Sequence, residues 1–558
     1  MTNHGHGDRS LAPGIWWAAA LYTVLTIVFT YPLSFHPGTH VFGDNPDTHF
    51  YVWTLSWDVH AFLHQPLAIF DANIYYPNRL TLAYSENQIG SALFAAPILW
   101  VSGNPVLAVN LVALIGCALC GIGAYVLGRR LGLEHGPAFI CGLAYAFAPA
   151  RFVRTGQAYL GTLQWIPFTL AALHAYFDRG TPRSLKWAAA CFTLQALTSG
   201  HGAVLLAIAA AGFVVHRLIA GDPLAPMRRL RDLGISGALL LVPSILIYVP
   251  YRRVQLEMGL RRSLQDWAPS WQSFLAAQTH LQQWVLAWLP GLSVNETASA
   301  NLFPGYLPIV LALVAVMGAI RVRRHRDPAD RRIDPTPLYL AFALLGIWIS
   351  MGPPLGVWPL IYWLPGFSFI RLSSRFMLLA MVGFAALSGL GIQHLASRAA
   401  GTTRRWLIVG VAGAMIGEFA DMPLPMTPYV VTIPAVDRWL ATRPGTFAIA
   451  EFPASSVVRY QTTYMLHSMG HWQRTIHGYS GFEAPLHTRL YQELRGFPDE
   501  ASLHRLNELE IAYLVVHEEM YRPGEWAQVQ ERLQRFSDRL TLEYSEGTGR
   551  VYALRPLR

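Results

Sequence analysis

Two aspartates three residues apart, Asp44 and Asp47, stand in the segment GDNPDTHFYVWTLSWD (43–58), just after the first apolar run of the chain. A carboxylate there can take a proton from a hydroxyl that is becoming a nucleophile, and a pair of carboxylates can instead hold a hard divalent cation. Such charge beside an apolar run is costly unless it is solvated or used. Gly43, Asn45 and Pro46 mark a turn, which predicts Asp47 as the N-cap of a helix carrying Trp53 and Trp57 one turn apart. On this reading Asp44 is a turn residue, the indoles sit at headgroup level, and Asp58 lies on a solvated face.

Arginines form the second set. Arg151 and Arg154 lie in ARFVRTGQAY (150–159), and Arg371 and Arg375 in GFSFIRLSSRF (366–376). The planar guanidinium fork suits a phosphate group, and a helix opening at RLSSR puts Arg371 and Arg375 on one face. Their competing use is snorkelling toward lipid headgroups. His201, set between two glycines, reads as a turn residue. His467, His471 and His477, with Tyr479, make a polar aromatic patch. No cysteine or carboxylate close by in sequence completes a ligand set, so no metal is assigned there.

The elements that must hold these residues are mostly apolar. Of 558 residues, 53% are hydrophobic and 13% charged, which points to a bilayer as the main solvent. The net charge of +9 is nearly all arginine, with Lys186 the single lysine. Most clustered arginines fall between apolar runs, as topology signals do, so nucleic acid is not an expected partner. Cys117, Cys120, Cys141 and Cys191 all lie inside apolar runs and read as packed small side chains, with no disulfide framework.

With about 20 apolar residues per crossing, eleven spans are expected: 14–33, 105–128, 136–150, 158–177, 185–200, 203–220, 234–251, 303–321, 337–351, 372–396 and 405–420. The run SALFAAPILWVSG (91–103) is too short and is expected to lie in the interface or re-enter. That choice puts every arginine-rich short loop inside, with the N-terminus inside as an uncleaved first span. The first loop (34–104) is then external, together with 150–159, 199–202, 252–302 and 366–376. Four arginines at 252, 253, 261 and 262 run against the rule. Beyond about residue 421 the pattern becomes that of a soluble α/β domain: strands at 446–453 and 512–519, a helix in GEWAQVQERLQRFSDRL, and a terminal hairpin. The fold class is therefore a multi-span α-helical membrane domain (1–420) followed by an extracytoplasmic α/β domain (421–558).

A first span, then a long external loop opening on an acidic pair, then interfacial helices, resembles the GT-C superfamily of integral-membrane glycosyltransferases. Within it the chain is similar to a group of bacterial membrane proteins. The stretches that carry the likeness are GDNPDTHFYVWTLSWD, YAFAPARFVRTGQAYLGTLQWIPFTLAAL, LPGFSFIRLSSRFMLLAMVGFAALSGLG and IHGYSGFEAP. Protein mannosyltransferases and aminoarabinose transferases have an adjacent Asp-Glu; here the acids are separated. The resemblance implies an inverting transferase at the outer face of a bacterial inner membrane. Its donor would be a polyprenyl-phosphate sugar, its acceptor a glycan, lipid or protein of the envelope, and membrane lipids its surroundings. It implies a carboxylate base at Asp44 or Asp47, and the helix-start position favours Asp47, with Asp44 as positioning or second carboxylate and Arg151, Arg154, Arg371 and Arg375 as the donor-phosphate clamp. His49, Tyr51, Gln157, Tyr159, His201, His471, His477 and Tyr479 become substrate-binding candidates. No cofactor is required, and Asp44 with Asp47 offers a place for a divalent cation. A non-enzymatic transporter or flippase of polyprenyl lipid or polysaccharide is the alternative, but the spans offer only scattered polar groups such as Asn110, Gln164, His174 and Gln195.

Overall fold

Every apolar run expected to cross the membrane is helical in the computed structural model. The structure describes residues 12–220, 226–259, 269–275, 279–288, 301–324, 333–364, 367, 370, 372–481 and 484–556. Among these, five helices are long and apolar enough to span a bilayer: Pro105–Arg130, Gly200–Ile219, Gly234–Met258, Tyr306–Arg324 and Ser373–Ala396. The other expected spans are shorter helices, such as His135–Phe147 and Thr336–Ser350, or carry more charge, as Gly401–Phe419 does with Arg404, Arg405 and Glu418. The run at 158–177 is broken, with a single turn at Ala158–Gly161 and a new helix at Trp165–Arg179. Pro167 suits the restart, because a proline is best tolerated in the first turn of a helix. The segment Ile89–Ser102 is a helix of 14 residues, about 21 Å long at 1.5 Å per residue, against a hydrocarbon core of about 30 Å.

The chain divides into two compact units. The helical unit comprises residues 1–36, 110–247 and 260–426. At its centre the helix Met377–Ala396 is buried along most of its length, packed against Tyr306–Arg324, Thr336–Ser350 and His135–Phe147. Its sequence MLLAMVGFAALSGLGIQHLA explains the close packing. A Cβ at Gly383 would collide with the Tyr339 carbonyl, and one at Gly391 with the Leu311 carbonyl. Small residues at such crossings let backbones approach, as in membrane helix pairs generally.

The mixed unit comprises 37–109, 248–259 and 427–558. The first loop and the C-terminal domain thus share one unit, whereas the sequence reading had placed a domain boundary between 420 and 421. Strand β1 (His40–Val41) pairs antiparallel with β2 (Thr427–Pro428). Backbone bonds also tie 73–76 to 475–477: Tyr75 N–H donates to His477 (3.0 Å), Tyr76 N–H to Thr475 (2.9 Å), and Thr475 N–H to Asn73 (2.7 Å). The remaining strands are β3 (Ala448–Phe452), β4 (Arg474–Thr475), β5 (Ile511–His517), β6 (Leu540–Glu546) and β7 (Gly549–Leu554). They form one sheet in the order β4-β3-β5-β7-β6, parallel from β4 to β5 and antiparallel beyond. The expected strands, the helix Pro523–Arg535 and the terminal hairpin are all present, the hairpin turning at Gly547 with φ +58°. A parallel central strand is buried on both faces and reads as a continuous apolar run. In β3, AIAEF, one residue breaks that rule: Glu451.

Candidate functional site

In the mixed unit the acidic segment begins the helix Pro46–His64. Its N-cap is Asn45, whose side chain accepts from Thr48 N–H at 3.0 Å, and not Asp47 as the sequence suggested. Pro46 decides this: proline favours the first helical position, which makes the residue before it the cap and moves Asp47 into the first turn. Asp47 is exposed there and accepts a hydrogen bond from the Tyr479 phenol at 2.9 Å. Asp44, also exposed, lies 2.7 Å from His49 Nε2, and His49 Nδ1 is 3.0 Å from the Thr462 hydroxyl. His49 stacks on Tyr429 with ring centroids 5.1 Å apart. An ionised Asp44 is an acceptor only, so the proton between them belongs on Nε2. The structure therefore brings together Asp44, Asp47, His49 and Tyr479, and adds Thr462 and Tyr429, which nothing local in the sequence links to the acidic pair.

Three features of this helix differ from the sequence reading. Tyr51 is buried in the packing of the helix. Trp53 and Trp57 are buried too, stacked at 6.0 Å, with the Trp57 indole N–H donating to the Ile69 carbonyl at 2.9 Å. Asp58 lies on no solvated face: it is fully buried and accepts from Gln88 N–H at 2.9 Å, at the start of the helix Ile89–Ser102. Burial pushes its carboxyl up to about 8 despite that hydrogen bond. A helix that packs on Ile89–Ser102 and on Val458–His467 has no free polar face, and a periodic pattern alone cannot reveal such two-sided cover.

The helical unit holds the arginines. Arg151 is fully buried, and its donors go to the Ala146 carbonyl (2.5 Å), the Gly161 carbonyl (2.7 Å) and Cys120 Sγ (3.1 Å). It ties the 146–161 turn together and does not present a phosphate fork, which corrects its expected role. Arg154 differs. It is equally buried and, among the described residues, donates only to Gln157 Oε1 at 3.4 Å and leaves Nε and Nη2 without partners. Burial, and then the charge of Arg375, push its guanidinium down to about 10. Arg375 donates to the Tyr159 hydroxyl at 3.0 Å and to His201, and lies over the Tyr159 ring at 5.5 Å. Tyr159 and His201 are themselves in ring contact at 5.6 Å. Neither Arg154 nor Arg375 makes an ion pair with a carboxylate among the described residues. The two guanidinium groups are close enough for the charge of Arg375 to act on Arg154. Arg154, Gln157, Tyr159, His201 and Arg375, which the sequence offers as separate candidates, come together here, and His201 is a partner of that cluster where the sequence suggests a turn. Arg371 lies outside the described residues.

The histidines of the C-terminal domain point inward. His471 Nδ1 accepts from Gln473 N–H at 2.9 Å, and His477, fully buried, accepts at Nε2 from Glu451 N–H at 2.9 Å. Burial pushes His477 down to about 4. Both are interior groups and not the substrate-facing residues the sequence suggested. The carboxylates missing from their sequence neighbourhood are supplied by the fold: Glu451 and Asp437 are both fully buried beside His467 and His471. The lone acid in the apolar strand AIAEF was the available signal.

No protein-family model matches the chain. Undecaprenyl phosphate-alpha-4-amino-4-deoxy-L-arabinose arabinosyl transferases of Pseudomonas aeruginosa and Pseudomonas paraeruginosa are each 28% identical to it over 179 residues, 31% of this chain. The match spans 31% of the length of those curated relatives. Among solved structures, the mycobacterial arabinofuranosyltransferase AftD superposes with a TM-score of 0.56 at 15% identity, covering 97% of this chain and 41% of that one. The archaeal oligosaccharyltransferase AglB from Archaeoglobus fulgidus gives 0.47 at 14% identity, over 97% and 74% of the two chains. ArnT from Cupriavidus metallidurans, bound to undecaprenyl phosphate, gives 0.42 at 11%, over 97% of each. The AftD superposition carries the likeness of fold; the other two are looser.

Proposed function

Taking the chain as a membrane protein of the GT-C fold, we propose that it is an inverting glycosyltransferase that moves a sugar from a polyprenyl-phosphate donor to a hydroxyl of an envelope glycan, lipid or protein. The observation that carries this reading is the pair of guanidinium groups at Arg154 and Arg375, drawn together with no carboxylate on either among the described residues and with polar atoms left over. In the transfer, the bond from the anomeric carbon to the phosphate oxygen breaks, and its electron pair leaves on the lipid phosphate. Positive charge held ready for that oxygen lowers the barrier, because it needs no reorganisation as the negative charge grows. The acceptor hydroxyl forms the new bond to the anomeric carbon from the opposite side, and its proton goes to a carboxylate.

Asp47 is the base in this scheme. It is exposed, and the Tyr479 phenol orients one oxygen while the other stays open to solvent. Asp44 is a positioning carboxylate: His49 already holds one of its oxygens, and Thr462 holds His49. A divalent cation bridging Asp44 and Asp47 is compatible with the chemistry and is not required by it. The reading places the acidic loop and the C-terminal domain at the outer face of a bacterial inner membrane, on the sequence argument from arginine placement. The test is to compare lipid-linked sugars and envelope glycans in a deletion strain complemented with the wild type or with Asp47→Asn. Loss of one sugar from an envelope glycan, with its lipid-linked donor accumulating in both the deletion and the Asp47→Asn strain, supports the proposal. A normal glycan profile in the Asp47→Asn strain sinks it.

A further inference from the structure

A second chemistry-bearing cluster, which the proposed transfer does not use, lies inside the C-terminal sheet. Glu451 stands within β3, Asp437 on the helix Ala435–Leu440, His467 at the end of the helix Val458–His467, and His517 at the end of β5. Both carboxylates are 0% exposed. His517 Nε2 lies 2.8 Å and His467 Nδ1 3.4 Å from the same Glu451 oxygen, Oε2, and His467 Nδ1 is also 3.8 Å from Asp437 Oδ2. Among the described residues, Glu451 Oε1 and both Asp437 oxygens have no hydrogen-bond partner. Neither acid pairs with arginine or lysine among the described residues, whose contacts to them come from histidine alone. Two buried carboxylates so placed call for a cation, since an isolated buried charge is strongly unfavourable.

Hydrogen-bond accounting separates ligands from bystanders. His471 accepts a backbone N–H at Nδ1, so its neutral ring carries its proton on Nε2, the atom 3.6 Å from Asp437 Oδ1. His477 accepts at Nε2 and carries its proton on Nδ1. Neither has a lone pair left for a metal. His467 and His517 do: the nitrogen that each turns to the carboxylates accepts no backbone hydrogen bond. The ligand atoms of Glu451, His467 and His517 all lie within 4.8 Å of one another. Ligands about 2.0–2.2 Å from a tetrahedral zinc stand roughly 3.3–3.6 Å apart. The 3.4 Å separation already fits, and the 2.8 Å one needs only a small opening.

We propose that the C-terminal domain binds one divalent transition-metal ion of the zinc type, ligated by Glu451, His467, His517 and Asp437. Two imidazoles in the set select against magnesium and calcium, which take oxygen ligands. His471 Nε2 lies 3.6 Å from Asp437 Oδ1, beyond hydrogen-bond distance, and takes no part in the ligand set. The ion joins β3, β5 and two helices. One of these helices presents Thr462 to His49, and through it to Asp44, so the metal also stiffens the acidic loop.

The test uses the full-length protein in detergent or nanodiscs, stripped with a chelator and titrated with Zn(II), and with Co(II) for its visible spectrum. The expected result is one equivalent per chain, tetrahedral Co(II) bands in the visible, and a rise in melting temperature on adding metal. His467→Gln and His517→Gln should weaken binding by at least the roughly 10- to 100-fold that loss of an outer partner costs. Asp44→Asn with Asp47→Asn should leave it intact, which separates this site from any cation at the acidic loop and from the transferase reading. Substoichiometric uptake by the wild type, or full uptake by both histidine variants, overturns the proposal. The wild-type titration decides alone if those variants do not fold.

Discussion

The two acidic clusters of the mixed unit invite comparison. Asp44 and Asp47 come from one turn of sequence, lie exposed, and each spends one oxygen on a neighbour, His49 or Tyr479. Asp437 and Glu451 come from different elements, are wholly buried, and face imidazoles. Water reaches the first pair, so its charge does not have to be matched inside the protein. The second pair has no water to fall back on, so its charge has to be matched inside the protein. Burial pushes Glu451 up, yet the hydrogen bonds from His517 and His467 outweigh it and hold the carboxyl below its ordinary range. An exposed carboxylate pair suits catalysis, and a buried one suits holding a cation.

The sharpest way to break this contrast is Asp47→Asn. Transfer should fall by about 10²- to 10⁴-fold, the usual contribution of a general base, while the amount of folded protein in the membrane is unchanged. An equal loss of folded protein would make Asp47 structural. Glu451→Ala should do the reverse, lowering stability by roughly 3–5 kcal/mol in denaturant melts, because it leaves buried partners uncompensated. The exposed pair at Asp44 and His49, tested by Asp44→Ala, should shift the same melts by only about 0–1 kcal/mol.

Asp58 stands between the two cases, being near the acidic pair in sequence but fully buried. Its folded carboxyl titrates at about 8 and its unfolded one near the ordinary 3.8. Between those values the folded state keeps a proton that the unfolded state has lost. Stability from this group is therefore greatest at low pH, falls as pH rises from about 4 to about 8, and stays low above that. Melting curves of the wild type and Asp58→Asn across this range should diverge with rising pH, the variant being the more stable by roughly 1–3 kcal/mol at the alkaline end. Parallel curves would mean that Asp58 stays solvated. Asn45→Ala should cost about 0.5–2 kcal/mol for a lost helix cap, read from the same melts.

The sequence alone determined the apolar runs that became helices, the strands at β3 and β5, and the terminal hairpin. These follow from period, length and turn residues, which act over a few neighbours. It also singled out Asp44 and Asp47, because two acids beside an apolar run are conspicuous without any fold. Only the tertiary structure decided which polar groups are buried. Asp58 and Trp57 sit on a helix whose pattern reads as half-solvated, but packing against two other helices closes both faces. Arg151 and Arg154 look equivalent in ARFVR, yet the turn places carbonyls around the first and leaves the second with free donors. Glu451 meets His517 across 66 positions and Asp437 meets His467 across 30, so no local pattern could join them. The physical reason is that burial and hydrogen-bond partnership depend on what the other side of the fold supplies, and a side chain's own sequence neighbours supply little of it.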